Sequence, residues 1–100
     1  MAVSINKIRF EEPFIKDGYW RGEFNEYGDI LQICITPASD TNIYSFGIVD
    51  EEGYIIHADY SIRGPYFKTV KIPIFPGIKE FIIENASIDE PFRIKIIYKE

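Results

Sequence analysis

His57 is the only histidine of the chain, and it stands two residues before Asp59 in "YIIHADY". In an extended strand that spacing puts the imidazole and the carboxylate on one face, the pairing that orients a general base. Hydrolysis by such a base also needs a nucleophile held against the imidazole, and a metal centre needs three or four ligands. Ser45 and Ser61 are the nearest serines in sequence, and neither lies in a nucleophile-elbow context. The pair therefore reads as a solvent-facing His–Asp neighbour pair. Cys34, the single cysteine, lies inside "ILQICI" with no basic neighbour, and reads as a buried, inert thiol. Glu11-Glu12, Asp50-Glu51-Glu52 and Asp89-Glu90 fall in turn-like segments. They lack the oxygen-ligand spacing and the glycine of a calcium loop, so they read as solvated turn tips. No catalytic residue, metal or cofactor is expected, and the chain does not read as an enzyme.

Binding is the other chemistry on offer. The stretch "GYWRGEFNEYGD", Gly18 to Asp29, threads four aromatics with Arg21, Glu23, Glu26 and Asp29. Strand alternation sends Trp20, Gly22 and Phe24 one way and Tyr19, Arg21 and Glu23 the other. Trp20 and Phe24 are expected in the core, with Gly22 making room for Trp20. Tyr19 and Tyr27, with Tyr60 and Tyr66 further on, are the residues that would stack on a sugar ring. The segment "SIRGPYF" puts Arg63, Tyr66 and Phe67 on an expected loop able to reach a partner. The outward faces of "TVKIPIF" and "FRIKIIYK" mix Lys71, Arg93 and Lys95 with the apolar Ile97, as a polar-rimmed contact patch does.

Short strands must position all of these. The chain has twenty isoleucines against one leucine, and sixteen aromatics, a composition suited to a pleated, half-buried surface. Apolar or alternating runs recur at the spacing of a sandwich or barrel. In "VSINKIRF", Val3 and Ile5 share one parity and Ile8 and Phe10 the other, which predicts a bulge or a sheet switch. "YWRGEF" is the second strand. "ILQICI" is nearly continuous and reads as a central strand covered on both faces. "IYSFGIV" and "YIIHADY" flank "DEEG", with Gly53 placed to close a hairpin. In "TVKIPIF", Val70, Ile72 and Ile74 share a face, and Pro73 marks a sheet edge because it cannot donate a ladder hydrogen bond. "IKEFIIE" and "FRIKIIYK" complete the set, the last with Phe92, Ile94, Ile96 and Tyr98 facing in. Only "GIKEFIIENA" admits a helical reading.

One hundred residues without repeat or linker predict a single domain over residues 1–100. The expected fold is all-β: one antiparallel β-sandwich of seven to eight strands, immunoglobulin-like or jelly-roll. A formal charge of −5 argues against a nucleic-acid partner. No apolar run approaches a membrane span and no secretory signal opens the sequence, so a cytoplasmic product without a membrane partner is expected. One cysteine permits no disulfide framework within the chain. The expected function is non-catalytic: a structural or interaction sandwich working by protein–protein contact or self-association, such as an accessory or decoration subunit of a phage particle. The alternative is a small carbohydrate-binding module built on exposed tyrosines.

Overall fold

The computed structural model describes residues 5–10 and 13–100. Eight strands follow in chain order: β1 (Ile5–Arg9), β2 (Trp20–Phe24), β3 (Gly28–Pro37), β4 (Ile43–Asp50), β5 (Ile55–Arg63), β6 (Tyr66–Ile74), β7 (Lys79–Glu84) and β8 (Phe92–Lys99). All ladders are antiparallel, and they build two four-stranded sheets of order β1-β8-β3-β6 and β2-β7-β4-β5. First pairs with last, second with seventh, third with sixth and fourth with fifth, so the chain is one long hairpin wrapped into two sheets. That is the jelly roll rather than the immunoglobulin order.

Strand alternation fills the space between the sheets. Phe92, Ile94, Ile96 and Tyr98 of β8 point inward as the sequence predicts, beside Ile8 of β1 and Ile30, Ile33 and Ile35 of β3. The facing sheet contributes Tyr44, Phe46, Ile48, Phe81 and Ile83. The Phe46 and Phe81 rings stack at 5.3 Å. Tyr44 is fully buried and donates its hydroxyl proton to the Gly64 carbonyl at 2.8 Å, which satisfies the one polar atom it brings into the core.

Several expectations are met in detail. The β4–β5 hairpin turns on Gly53 at φ 87°, with the Gly53 amide donating to the Asp50 carbonyl. Asp50 Oδ1 accepts from the Glu52 and Tyr54 amides, so this turn is tied by its own side chain. β6 is a sheet edge carrying Pro73, with Val70, Ile72 and Ile74 directed inward. Gly22 does make room for Trp20: a Cβ there would lie 2.6 Å from the indole and 2.9 Å from Phe10. Trp20 itself is half-buried, edge-on to Phe10 at 5.2 Å, while Phe24 is in the core.

Other expectations are corrected. β1 pairs with β8 in unbroken register and carries no bulge; Ile5 faces outward and Ile8 inward. Val3, counted in the parity of that strand, and Glu11-Glu12 lie outside the described residues. "SIRGPYF" is not a loop. Ser61–Arg63 end β5, Tyr66 and Phe67 begin β6, and the chain crosses between sheets in Gly64-Pro65 alone. "GIKEFIIENA" contains β7 and no helix. "ILQICI" is central but covered on one face only. The register shifts at Leu31, between Ile30 and Gln32, and a one-residue shift exchanges the two faces of a strand. Ile33 and Ile35 therefore follow Ile30 inward, and Cys34 turns out.

Candidate interaction face

The outer face of the β1-β8-β3-β6 sheet follows from register. Lys7 stands beside Ile97 and Gln32; Arg9 stands beside Lys95, which neighbours Cys34, which neighbours Phe67. Ile5, Lys99 and Asp29 form a further row, and Arg93 lies beside Thr36. Lys71 projects outward from β6, between the inward Val70 and Ile72. Among the described residues, six of the eleven Lys and Arg side chains thus share this face with a single carboxylate, Asp29. Among the described residues, none of the six is in an ion pair with a carboxylate; the two ion pairs are Arg21–Glu80 and Lys68–Asp59. An open depression at one end of the face is bordered by Arg9, Phe14, Cys34, Thr36, Arg93 and Lys95.

Stability does not require this arrangement. Arg9 and Lys95 are direct cross-strand neighbours, and like charges so placed destabilise a sheet, by about 0.2–1 kcal/mol. Cations on an edge strand discourage pairing with other chains, which accounts for Lys7 and Arg9 on β1 and Lys71 on β6. It does not account for Arg93, Lys95 and Lys99, because β8 is an inner strand.

The residues singled out in the sequence divide accordingly. Lys95, Ile97, Phe67, Lys71 and Arg93 come together here, with Phe67 67% exposed. Tyr66 does not. Its ring turns inward, edge-on to Phe46 at 5.1 Å, and its hydroxyl donates to Asp59 Oδ2 at 2.7 Å. Arg63 pairs with Ile43 on the outer face of the other sheet. Tyr19 lies in the bend before β2, Tyr27 in the turn before β3, and Tyr60 on the outer side of β5. The four tyrosines of the carbohydrate reading thus occupy four different places and form no shared platform. Lys7 and Arg9 were missed, since nothing local shows that β1 lies against β8. Cys34 is half-exposed beside Lys95, not buried away from cations.

His57 and Asp59 do share a strand face, but they point into the seam where β5 approaches β6 rather than into solvent. The His57 ring packs 5.8 Å from Phe46, and its buried Nε2 has no hydrogen-bond partner among the described residues. Burial holds the His57 pKa below its ordinary value against the pull of Asp59, with Lys68 adding to the depression. Asp59 is held low first by the Tyr66 hydroxyl and also by Lys68, whose Nζ lies 3.6 Å away. Burial and the Asp59 hydrogen bond push Tyr66 up. Ser45 Oγ accepts from the Ser61 amide at 3.1 Å, across a bulge in which Ser61 has φ 54°. That serine ties the backbone.

The acidic turns also do structural work. Asp89 accepts from the Asp17 and Gly18 amides, both at 2.8 Å. Glu90 is buried and accepts from the Ser39 amide, the Ser39 hydroxyl and the Asn42 side-chain amide at 2.8, 2.6 and 3.0 Å. Burial pushes the Glu90 carboxyl up, but these donors outweigh it and hold the pKa below the ordinary value. Among the described residues no three His, Cys, Asp or Glu side chains converge as metal ligands would. The sequence matches no protein-family model, and no curated protein is significantly similar to it.

Proposed function

We propose that this protein is a non-catalytic interaction domain that docks on an acidic protein surface through the outer face of the β1-β8-β3-β6 sheet, as an accessory subunit of a larger assembly such as a phage particle. The observation that carries the proposal is the charge segregation: among the described residues, six cations and one carboxylate lie on one sheet face of a chain whose net charge is −5. Such a field steers a complementary surface and fixes its orientation. Ile97, Cys34 and Phe67 supply apolar area among the cations, the composition of a polar-rimmed contact. The compactness of the patch favours a protein over a nucleic acid. Four strands and about eight residues make a face roughly 15 Å by 25 Å. A long polyanion would run past it onto the remaining surface, where carboxylates outnumber cations.

The test is affinity capture from the native source, followed by binding at graded salt. Lys7→Glu with Lys95→Glu should abolish capture of the partner while leaving the circular dichroism unchanged and the melting temperature no lower, since Lys95→Glu also relieves the like-charge contact with Arg9. Wild-type binding should weaken steadily as ionic strength rises, because the Debye length is already about 8 Å at physiological salt. Equal capture by the reversed protein would overturn the proposal. So would binding to single-stranded DNA, anionic vesicles or a polysaccharide in place of protein.

A further inference from the structure

The opposite outer face, that of β2-β7-β4-β5, is of a different kind. Ile43, Val49, Ile55, Ala58, Tyr60 and Ile82 make an apolar strip there, with Ile55 63% and Tyr60 67% exposed. Gly47 sits in its middle, and a Cβ at Gly47 would meet nothing closer than 3.8 Å. The missing side chain leaves a shallow groove bordered by Ser45, Val49, Ala58, Tyr60 and Ile82. Around the strip stand Arg21 and Arg63 with Glu23, Glu80 and Glu84, and Arg21 is already paired to Glu80 at 3.4 Å. The face is close to neutral and carries both signs on its rim.

From this we infer that the β2-β7-β4-β5 face is a homodimer interface, and that its occupant is the same face of a second copy related by a twofold axis. The argument is one of charge. A twofold contact sets every residue patch against itself, so it requires a surface that does not repel its own image. The near-neutral apolar face meets that requirement, and the six-cation face fails it. Two aligned sheets stack about 10 Å apart when their side chains interdigitate, and the gap over Gly47 gives the partner's Tyr60 or Ile55 a place to enter. A face of these dimensions buries less than the roughly 800 Å² per partner of a standard interface, so the dimer is weak and forms with rising concentration. Its consequence goes beyond the proposed docking role: pairing through this face leaves both basic faces outward, on opposite sides of the dimer.

Sedimentation velocity over about 5 µM to 1 mM tests the inference on the full chain. The wild type should pass from monomer to dimer and stop there. Raising sodium chloride to 0.5 M should leave the dimer in place, since apolar burial rather than charge holds it. Ile55→Glu and Tyr60→Glu, each at a side chain already mostly in water, should raise the dimer dissociation constant about tenfold or more with unchanged circular dichroism. Lys95→Glu should leave it unchanged. Hydrogen exchange at the two ends of the concentration range gives a second reading on the unaltered protein, with protection gained on β4 and β5. A protein that stays monomeric at 1 mM would overturn the inference while leaving the acidic-partner reading standing. Association that Lys95→Glu abolishes and Tyr60→Glu leaves intact would overturn it too.

Discussion

Asn42→Ala should be among the most damaging single changes outside the apolar core. Asn42 is fully buried in the loop between β3 and β4. Its side-chain amide donates to the Ile88 carbonyl at 2.9 Å and to Glu90 Oε2 at 3.0 Å. Its Oδ1 accepts from the Ser87 hydroxyl at 3.2 Å and the Ile88 amide at 3.3 Å. One residue thereby partners four polar groups of the β7–β8 connection, and truncation removes all four hydrogen bonds at a position that is itself fully buried. A neutral hydrogen bond is worth about 1 kcal/mol and one to a charged group about 2. Counting the two long acceptor contacts together as about 1, the loss comes to about 4 kcal/mol. For a domain of this size that lowers the melting temperature by about 15–30 °C. Differential scanning calorimetry at neutral pH reads it directly, with Thr41→Ala, an exposed neighbour, as a control within about 0.5 kcal/mol of wild type. If Asn42→Ala costs less than about 1 kcal/mol, these contacts do not bind the two loops together.

Gly22→Ala should cost about 1–3 kcal/mol, because its Cβ would fall 2.6–2.7 Å from the Trp20 ring and force the indole outward; denaturant unfolding with Trp20 emission shifting to the red checks both parts. Stability should fall as acid is added, in two stages. His57 has a native pKa below 6.5, so the unfolded chain takes up its proton first and stability drops from about pH 6.5 downward; His57→Phe should flatten a urea-midpoint profile between pH 7 and 5. Asp59 and Glu90 contribute fully above their ordinary values of 3.8 and 4.5, and that contribution is lost as pH falls through their depressed native values. Tyr66→Phe removes the 2.7 Å hydrogen bond, so the Asp59 pKa should rise in a carbon-detected NMR titration without a change of fold.

What could be read from sequence was local. The hairpin at Gly53, the edge at Pro73 and the inward set of β8 each depend on residues that are near neighbours in the chain. Faces were misread where one residue changes the count, and Leu31 alone decides that Cys34 looks outward. "SIRGPYF" read as a loop because both strand ends that meet there are at sheet edges, where polar residues are tolerated on the outer side. The basic face was half visible, through Lys71, Arg93 and Lys95, because those strands alternate cleanly. Lys7 and Arg9 join it only through the pairing of the first strand with the last, which no local pattern encodes. Asn42 and Glu90 each look like ordinary turn residues until the two loops are placed side by side.

The position of β8 has a consequence for the order in which the molecule can be made. β8 is the last strand in sequence, yet it lies inside its sheet, between β1 and β3. A nascent chain that has emerged through Glu84 already holds every strand of the β2-β7-β4-β5 sheet and the β3–β6 ladder. β1 still has no partner, and one side of β3 stays unpaired until Phe92–Lys99 follows. Closure over so long a loop is slow compared with hairpin formation. The apolar face thus has all its strands before β8 is made, whereas the basic face takes shape only once Phe92–Lys99 is added, so a chain that stops at Glu84 lacks it.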